Sequence, residues 1–243
     1  MNTGNQEPPQ DGRQSASLRQ GIAMRFVQVI FVFLLQAAVL FISSGNLAWI
    51  AAWVYLAVYL CVLLVNMIVL EPRNPNLIVE RGQDDEDTRG WDGVLSSLVS
   101  TYLPLAMLIL CGLDARYGWS PQPELMARAI ALFCLMAGYG VVSWAMASNP
   151  FFSGFVRRLK GRGHTVATSG PYQFVRHPGY LGMLAFTVAT PVLLGSFWAL
   201  IVAAIDLYLI VWRTVLEDRA LQRLPGYTEY AQRVRYRLIP GLW

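Results

Sequence analysis

The sequence predicts an all-α, polytopic transmembrane helical bundle of five to six membrane helices, and three observations carry that expectation. Hydrophobic residues make up 55% of the 243 residues and charged ones only 14%, with a mean hydropathy of +0.42. The apolar residues fall in blocks too long and too nearly free of charge for a water-facing protein of this size. The cations collect in the loops between those blocks. The formal charge of +4 and pI near 9.1 therefore report membrane topology rather than nucleic-acid binding, because the 19 basic residues form no soluble basic domain.

Residues 1–25 are rich in Gln, Asn, Ser, Pro and Gly without an apolar core, which predicts a disordered cytoplasmic tail. Phe26–Ile42 and Leu47–Leu70, separated by the turn-like Ser43-Ser44-Gly45-Asn46, form the first helical hairpin. A charged stretch over 71–93 follows, and its Pro72 and Pro75 oppose continuation of the second helix. Val94–Leu113 and Ala129–Ala147, joined by a link containing Pro121 and Pro123, complete four spans in two hairpins over 26–147. Tyr180–Trp212 is apolar for 33 residues. As one straight helix it is roughly 50 Å long against a hydrocarbon core of about 30 Å. Pro191 and Gly195-Ser196 turn it into a hairpin of two short legs, the second running on into Arg213–Leu224.

Charge placement tests that count. With six helices and an inner N-terminus, Arg13, Arg19, Arg25, Arg73, Arg81, Arg89, the 157–176 cluster and every C-terminal arginine lie on one side. Only Arg116 and Arg128 face out, as the cytoplasmic enrichment of Lys and Arg requires. A single crossing over 180–212 sends six C-terminal arginines to the wrong side.

The chemistry concentrates in residues 148–243. The two histidines, His164 and His177, both lie in Gly163–Gly182. Pro178 suits the first turn of a helix, where its missing N–H costs nothing. Arg176 and His177 then stand at a helix N-terminus, whose free amides favour an anionic or polar group. Gly170-Pro171 reads as a turn bringing Tyr172 toward the same end, and Gly179 and Gly182 leave room for a ligand or another backbone. The bland alternative is a juxtamembrane loop with its arginines against lipid headgroups.

Further along, Asp206, Arg213 and Glu217 fall within an arc of roughly 40° on a helix advancing about 100° per residue. Ionisable groups at membrane depth normally face a bundle interior or an aqueous cavity, so this stripe is a candidate site. Its plainer reading is an Arg213–Glu217 pair at i, i+4, with Asp206 hydrogen-bonded between helices. The tail through Arg233, Arg235 and Arg237 reads as a basic amphipathic segment on an anionic membrane surface. Cys61, Cys111 and Cys134 lie singly in apolar runs, as packing residues do. With two histidines they make no metal pattern. Gly138-Tyr139-Gly140 has no preceding strand and is no dinucleotide loop.

Gly170-Pro171-Tyr172, Val175-Arg176-His177-Pro178, Tyr180 and Gly182, followed by Arg213, Glu217-Asp218, Leu221, Gly226-Tyr227 and Tyr230, resemble the integral-membrane isoprenylcysteine carboxyl methyltransferases and phospholipid N-methyltransferases. The two blocks cover about residues 160–240. The resemblance implies a cytoplasmic C-terminal site for S-adenosylmethionine, contacted by His164, Val166, Gly170, Tyr172, Arg176, His177, Pro178, Tyr180, Gly182 and Glu217. It places Arg213 and Glu217 nearest the methyl transfer, and it brings a lipophilic or lipidated small-molecule acceptor from the bilayer. The family often has Glu-Glu where this chain has Glu217-Asp218, a departure that touches mainly the second acid. A carboxylate acceptor suits Arg213 better than an amine, which needs a base. Two other readings remain: an NADPH-dependent sterol-type reductase, with Arg157, Arg158, Lys160 and Arg162 for a 2′-phosphate, and a scaffold whose basic loops bind anionic lipid.

Overall fold

A computed structural model describes residues 10–70, 91–150, 152 and 165–243, and these are helical with short connections. Helix α1 (Gln10–Ser44) turns at Gly45 into α2 (Ile50–Leu70). Trp91–Ser97 forms α3, which passes through one π-helical turn, Leu98–Tyr102, into α4 (Leu103–Tyr117). Helix α5 (Leu125–Ser148) follows, then a 3-10 turn at Gly170–Gln173, α6 (Pro178–Leu194), α7 (Ala199–Leu221) and the short α8 (Tyr227–Arg233).

Among the described residues five stretches are long and apolar enough to cross a membrane: Phe26–Ser44, Ile50–Ile68, Gly93–Tyr117, Leu125–Ser148 and Ala199–Leu221. Helix α6 is a shorter apolar helix, roughly 25 Å long at 1.5 Å per residue. The expected hairpin over 180–212 is present. Gly195 closes α6 in the left-handed region, with φ 83°, a conformation glycine adopts without a Cβ penalty. The first boundary differs from expectation. Helix α1 begins at Gln10, inside the stretch expected to be a disordered tail, because a nucleated helix extends through tolerant residues such as Gln, Arg, Ala and Leu at little cost.

The π turn has a local cause. Pro104 offers no N–H, and the amide of Leu103 bonds instead to the carbonyl of Leu98, five residues back, so the helix passes the proline with a bulge rather than a break.

Successive helices alternate in direction. Gly45 lies against Arg116, which puts the α1–α2 turn beside the end of α4. The α6–α7 turn joins them there. The buried Asp114 accepts hydrogen bonds from the Ser120 amide (2.7 Å), the Ser120 hydroxyl (2.6 Å) and the Ser196 hydroxyl (2.5 Å), while Ser120 Oγ accepts from the Phe197 amide. Arg128, bonded to Gln122, stands at this same end, close to Gly195. Arg116 and Arg128 thus share the end opposite to the start of α6 and the end of α7, as their charge placement anticipates.

The main core joins Leu40, Tyr55, Leu56, Leu108, Cys111, Leu135, Leu193 and Ala203, with Cys134 partly buried against it. Cys61 is exposed on the apolar outer surface. Helices α5 and α6 approach so closely that a Cβ on Gly182 would strike the Gly138 carbonyl and Val142, and one on Gly138 the Gly182 carbonyl. Small residues at such crossings are what membrane helix packing selects. Gly182→Ala is therefore expected to lower the thermal unfolding midpoint in detergent, an overpacking cost of about 1–3 kcal/mol. Gly140→Ala, where a Cβ meets open space, should not lower it.

Candidate active site

The site forms where α6 begins and α7 ends. Pro178 occupies the first turn of α6 and His177 is its N-cap residue, the arrangement expected from the sequence. The preceding loop is tied to the C-terminal tail through its backbone. The Arg176 amide bonds to the Tyr236 carbonyl and the His177 amide to the Arg237 carbonyl, both at 2.9 Å. Gly170 starts the 3-10 turn at φ 59°, where a Cβ would collide with Ser148. That turn delivers Tyr172 into a buried cluster with Ala145, Tyr227 and Tyr230, against which Val166 and Leu221 pack.

Two adjacent acids on α7 divide the site between them. The Asp218 side chain is only 2% exposed, and the Arg176 Nε lies 3.0 Å from its Oδ1. His177 Nε2 stands 3.2 Å from the same oxygen, and the Tyr227 hydroxyl donates to it at 2.8 Å. Arg237 Nε donates to the other oxygen at 2.9 Å. An ionised carboxylate only accepts, so His177 carries its proton on Nε2. One carboxylate thus gathers the loop before α6, the start of α8 and the tail. Arg176 also reaches the Ala231 and Val234 carbonyls at the end of α8.

Glu217 has a different surrounding. Its side chain is 27% exposed, and its Oε1 lies 3.9 Å from His177 Nδ1. The Tyr180 hydroxyl donates to Oε2 at 2.5 Å and accepts from Arg213 Nε at 2.7 Å. The Arg213 guanidinium also stands 5.9 Å from the centre of the Tyr180 ring. The Tyr180 hydroxyl from the neighbouring helix thus links the two members of the expected i, i+4 pair and ties both charged groups to α6. Asp206, third member of the stripe, is set apart. It is buried and accepts from Thr187 of α6 at 3.4 Å, the interhelical hydrogen bond that the plainer reading assigns to it.

Among the expected site residues, the structure brings together Arg176, His177, Pro178, Tyr180, Arg213 and Glu217. Tyr172 sits behind them, its hydroxyl accepting from Asn149 at 3.2 Å and its carbonyl from the Tyr230 hydroxyl at 2.8 Å. Gly182 is taken up by the contact with α5, the second of the two uses its missing side chain allows. His164 lies outside the described residues, as do Arg157, Arg158, Lys160 and Arg162. Sequence reasoning named Asp218 as the second acid of the Glu217-Asp218 pair but gave it no role in the site. Its role was hidden because its partners lie 41 positions earlier and 19 later in the chain.

Burial raises the phenols of Tyr172, Tyr227 and Tyr230 above their ordinary range, and the negative charge of Asp218 adds to this at Tyr227. These groups stay neutral in the fold.

These features define a polytopic helical membrane protein with a polar site built at one end of its last hairpin. Residues 129–223 match the model of the isoprenylcysteine carboxyl methyltransferase family. It is 34% identical over 90 residues to the protein-S-isoprenylcysteine O-methyltransferase B of Arabidopsis thaliana, covering 34% of this chain and 44% of the relative. It is 33% identical over 114 residues to the protein-S-isoprenylcysteine O-methyltransferase of Schizosaccharomyces pombe, covering 44% and 46%. A Dictyostelium discoideum protein of the same name is 35% identical over 66 residues, 27% of this chain and 28% of the relative. The chain spans less than half the length of these curated relatives. Arg176, His177, Tyr180, Arg213, Glu217 and Asp218 all fall inside the matched segment; Tyr227 and Arg237 fall beyond it.

Asp218→Asn leaves two buried-side cations without their counter-charge and is expected to cost about 3–5 kcal/mol, read as a lower thermal unfolding midpoint. Tyr227→Phe removes one hydrogen bond to the ionised Asp218 carboxylate and should cost about 1.5–3 kcal/mol. The pH dependence follows from the phenols. Their folded values lie above the unfolded value of about 10, so their contribution is complete below that pH and is lost as pH climbs past it, because the unfolded chain releases these protons first. Circular dichroism and tyrosinate absorbance should show the C-terminal segment loosening only in that alkaline range.

Proposed function

We propose that the protein is an S-adenosylmethionine-dependent methyltransferase that esterifies a carboxylate on a lipid-like or lipidated acceptor, at the cytoplasmic face of the membrane. The observation that carries this reading is the placement of Glu217, partly exposed and held to Arg213 through the Tyr180 hydroxyl, beside His177 at the start of α6. The residues present suit a cationic sulfonium donor. Glu217 is the acid of this site still open to solvent, while Asp218 is enclosed by its own cations.

When bound, S-adenosylmethionine supplies an already activated methyl group. The protein's work is then to align, to exclude water and to balance charge. Glu217 favours the positive donor, and the backbone amides opening α6 suit its carboxylate. Arg213, held by Tyr180, orients the acceptor carboxylate as guanidinium groups do. No proton has to leave an ionised carboxylate, so no general base is needed, consistent with His177 Nε2 being committed to Asp218. An amine acceptor would require that base and would be repelled by Arg213. The segregation of Arg116 and Arg128 to the opposite end supports a cytoplasmic site and cytoplasmic termini.

Isothermal titration of the purified protein in nanodiscs with S-adenosylhomocysteine tests the reading, and the absence of binding would remove it. Glu217→Ala and His177→Ala should each weaken binding by about tenfold or more, the worth of a charged hydrogen bond, while the protein still inserts. Arg213→Lys should keep the cofactor and lose transfer of an isotopically labelled methyl group to lipid-extractable acceptors. Transfer to an amine lipid rather than to a base-labile ester would replace the carboxylate assignment.

A further inference from the structure

The tail that closes the site also carries an unbalanced charged surface. Arg219, Arg223, Arg233 and Arg235 are all exposed, against the single exposed acid Glu229 in the same stretch. Among the described residues none of these four arginines is paired with a carboxylate. Beside them Tyr236, Ile239 and Leu242 are 40%, 41% and 76% exposed. Cations interleaved with exposed aromatic and aliphatic side chains, next to the end of a membrane-crossing helix, match the chemistry of an anionic leaflet surface.

This surface belongs to a segment that is also part of the site's frame. Within four residues the chain alternates outward Arg235 with Tyr236 and Arg237, whose carbonyls receive the amides of Arg176 and His177. The Arg237 side chain turns inward to Asp218, and its guanidinium stands 5.1 Å from the centre of the Trp243 ring. A ligand on the outer face of this strap therefore bears on the position of His177 through one layer of backbone hydrogen bonds.

We propose that anionic phospholipid headgroups of the same membrane seat on Arg233 and Arg235 and hold the strap of residues 234–243 against the loop before α6, so that the lipid surface regulates the site. The coupling to activity rests on the methyltransferase reading, whereas seating on the lipid does not. Each cation near an anionic surface contributes about a fivefold change in binding, corresponding to ~1 kcal/mol, and salt screens it.

Hydrogen exchange of the full-length protein, compared between nanodiscs of phosphatidylcholine alone and nanodiscs containing phosphatidylglycerol, is the test. Amides of 234–243 should exchange at least about fivefold more slowly with phosphatidylglycerol, and S-adenosylhomocysteine should bind correspondingly tighter. Both differences should vanish in high salt and in the Arg233→Gln/Arg235→Gln variant, whose behaviour in phosphatidylcholine should match the parent. Equal exchange in the two lipids overturns the inference. So does protection that is indifferent to lipid but lost on neutralising the acidic run Asp84-Asp85-Glu86-Asp87, which would make that run the occupant. Slowed exchange with no S-adenosylhomocysteine binding in either lipid would uphold the seating and remove the methyltransferase reading instead.

Discussion

A buried carboxylate at the end of a membrane helix has to be matched by charge and hydrogen bonds or it destabilises the fold. Asp218 meets that constraint with Arg176, His177, Tyr227 and Arg237, drawn from three separate stretches of chain. The carboxylate therefore decides where the loop before α6, the start of α8 and the tail must lie. Once they lie there, the residue before it on α7 is turned about 100° away, out of the enclosed cluster and toward the start of α6. Glu217 faces Tyr180 because Asp218 faces inward.

The opposite end of the same hairpin is held by similar means. Asp114 takes two serine hydroxyls and an amide, joining the end of α4 to the turn between α6 and α7. Lipid tails are as apolar as leucine, so burial alone gives membrane helices little reason to prefer one arrangement over another. Polar junctions at the two ends, with glycine contacts between α5 and α6 in the middle, supply the missing specificity. They fix the height and rotation of α6 against α7. The distances among Tyr180, Arg213 and Glu217 depend on both.

This pattern explains what could be read from the residues alone. Span positions, the bend at Gly195 and the shared face of Asp206, Arg213 and Glu217 are local or periodic properties, and hydropathy and a 100° step reveal them. The start of α6 was legible because Pro178 marks a first helical turn. The role of Asp218 was not, because a carboxylate's partners are a tertiary fact and its own position breaks the stripe. Nor was the bridging of Arg213 and Glu217 by Tyr180, since helical spacing describes neighbours on one helix and says nothing of a phenol arriving from another. The early start of α1 was missed for the opposite reason. Composition weighs a segment's ability to form a core, whereas a helix already formed can extend through residues that could never nucleate one.

The same division between the two acids also weighs the choice of cofactor. A reductase reading draws on Arg157, Arg158, Lys160 and Arg162, which lie outside the described residues; among the described residues at this end of α7, Arg176 and Arg237 are committed to Asp218, and Arg213 donates to Tyr180. Among the described residues, the charge left open beside His177 is the negative one of Glu217. Among these residues, a carboxylate left open beside enclosed cations is electrostatically matched to a positively charged donor. Arg213 then stands one turn deeper along α7, toward the bilayer, where an acceptor arriving with an apolar body and a negative head would place that head. The order of charges along one helix face, acid outermost and guanidinium within, thus favours a water-borne cation meeting a membrane-borne anion between α6 and α7.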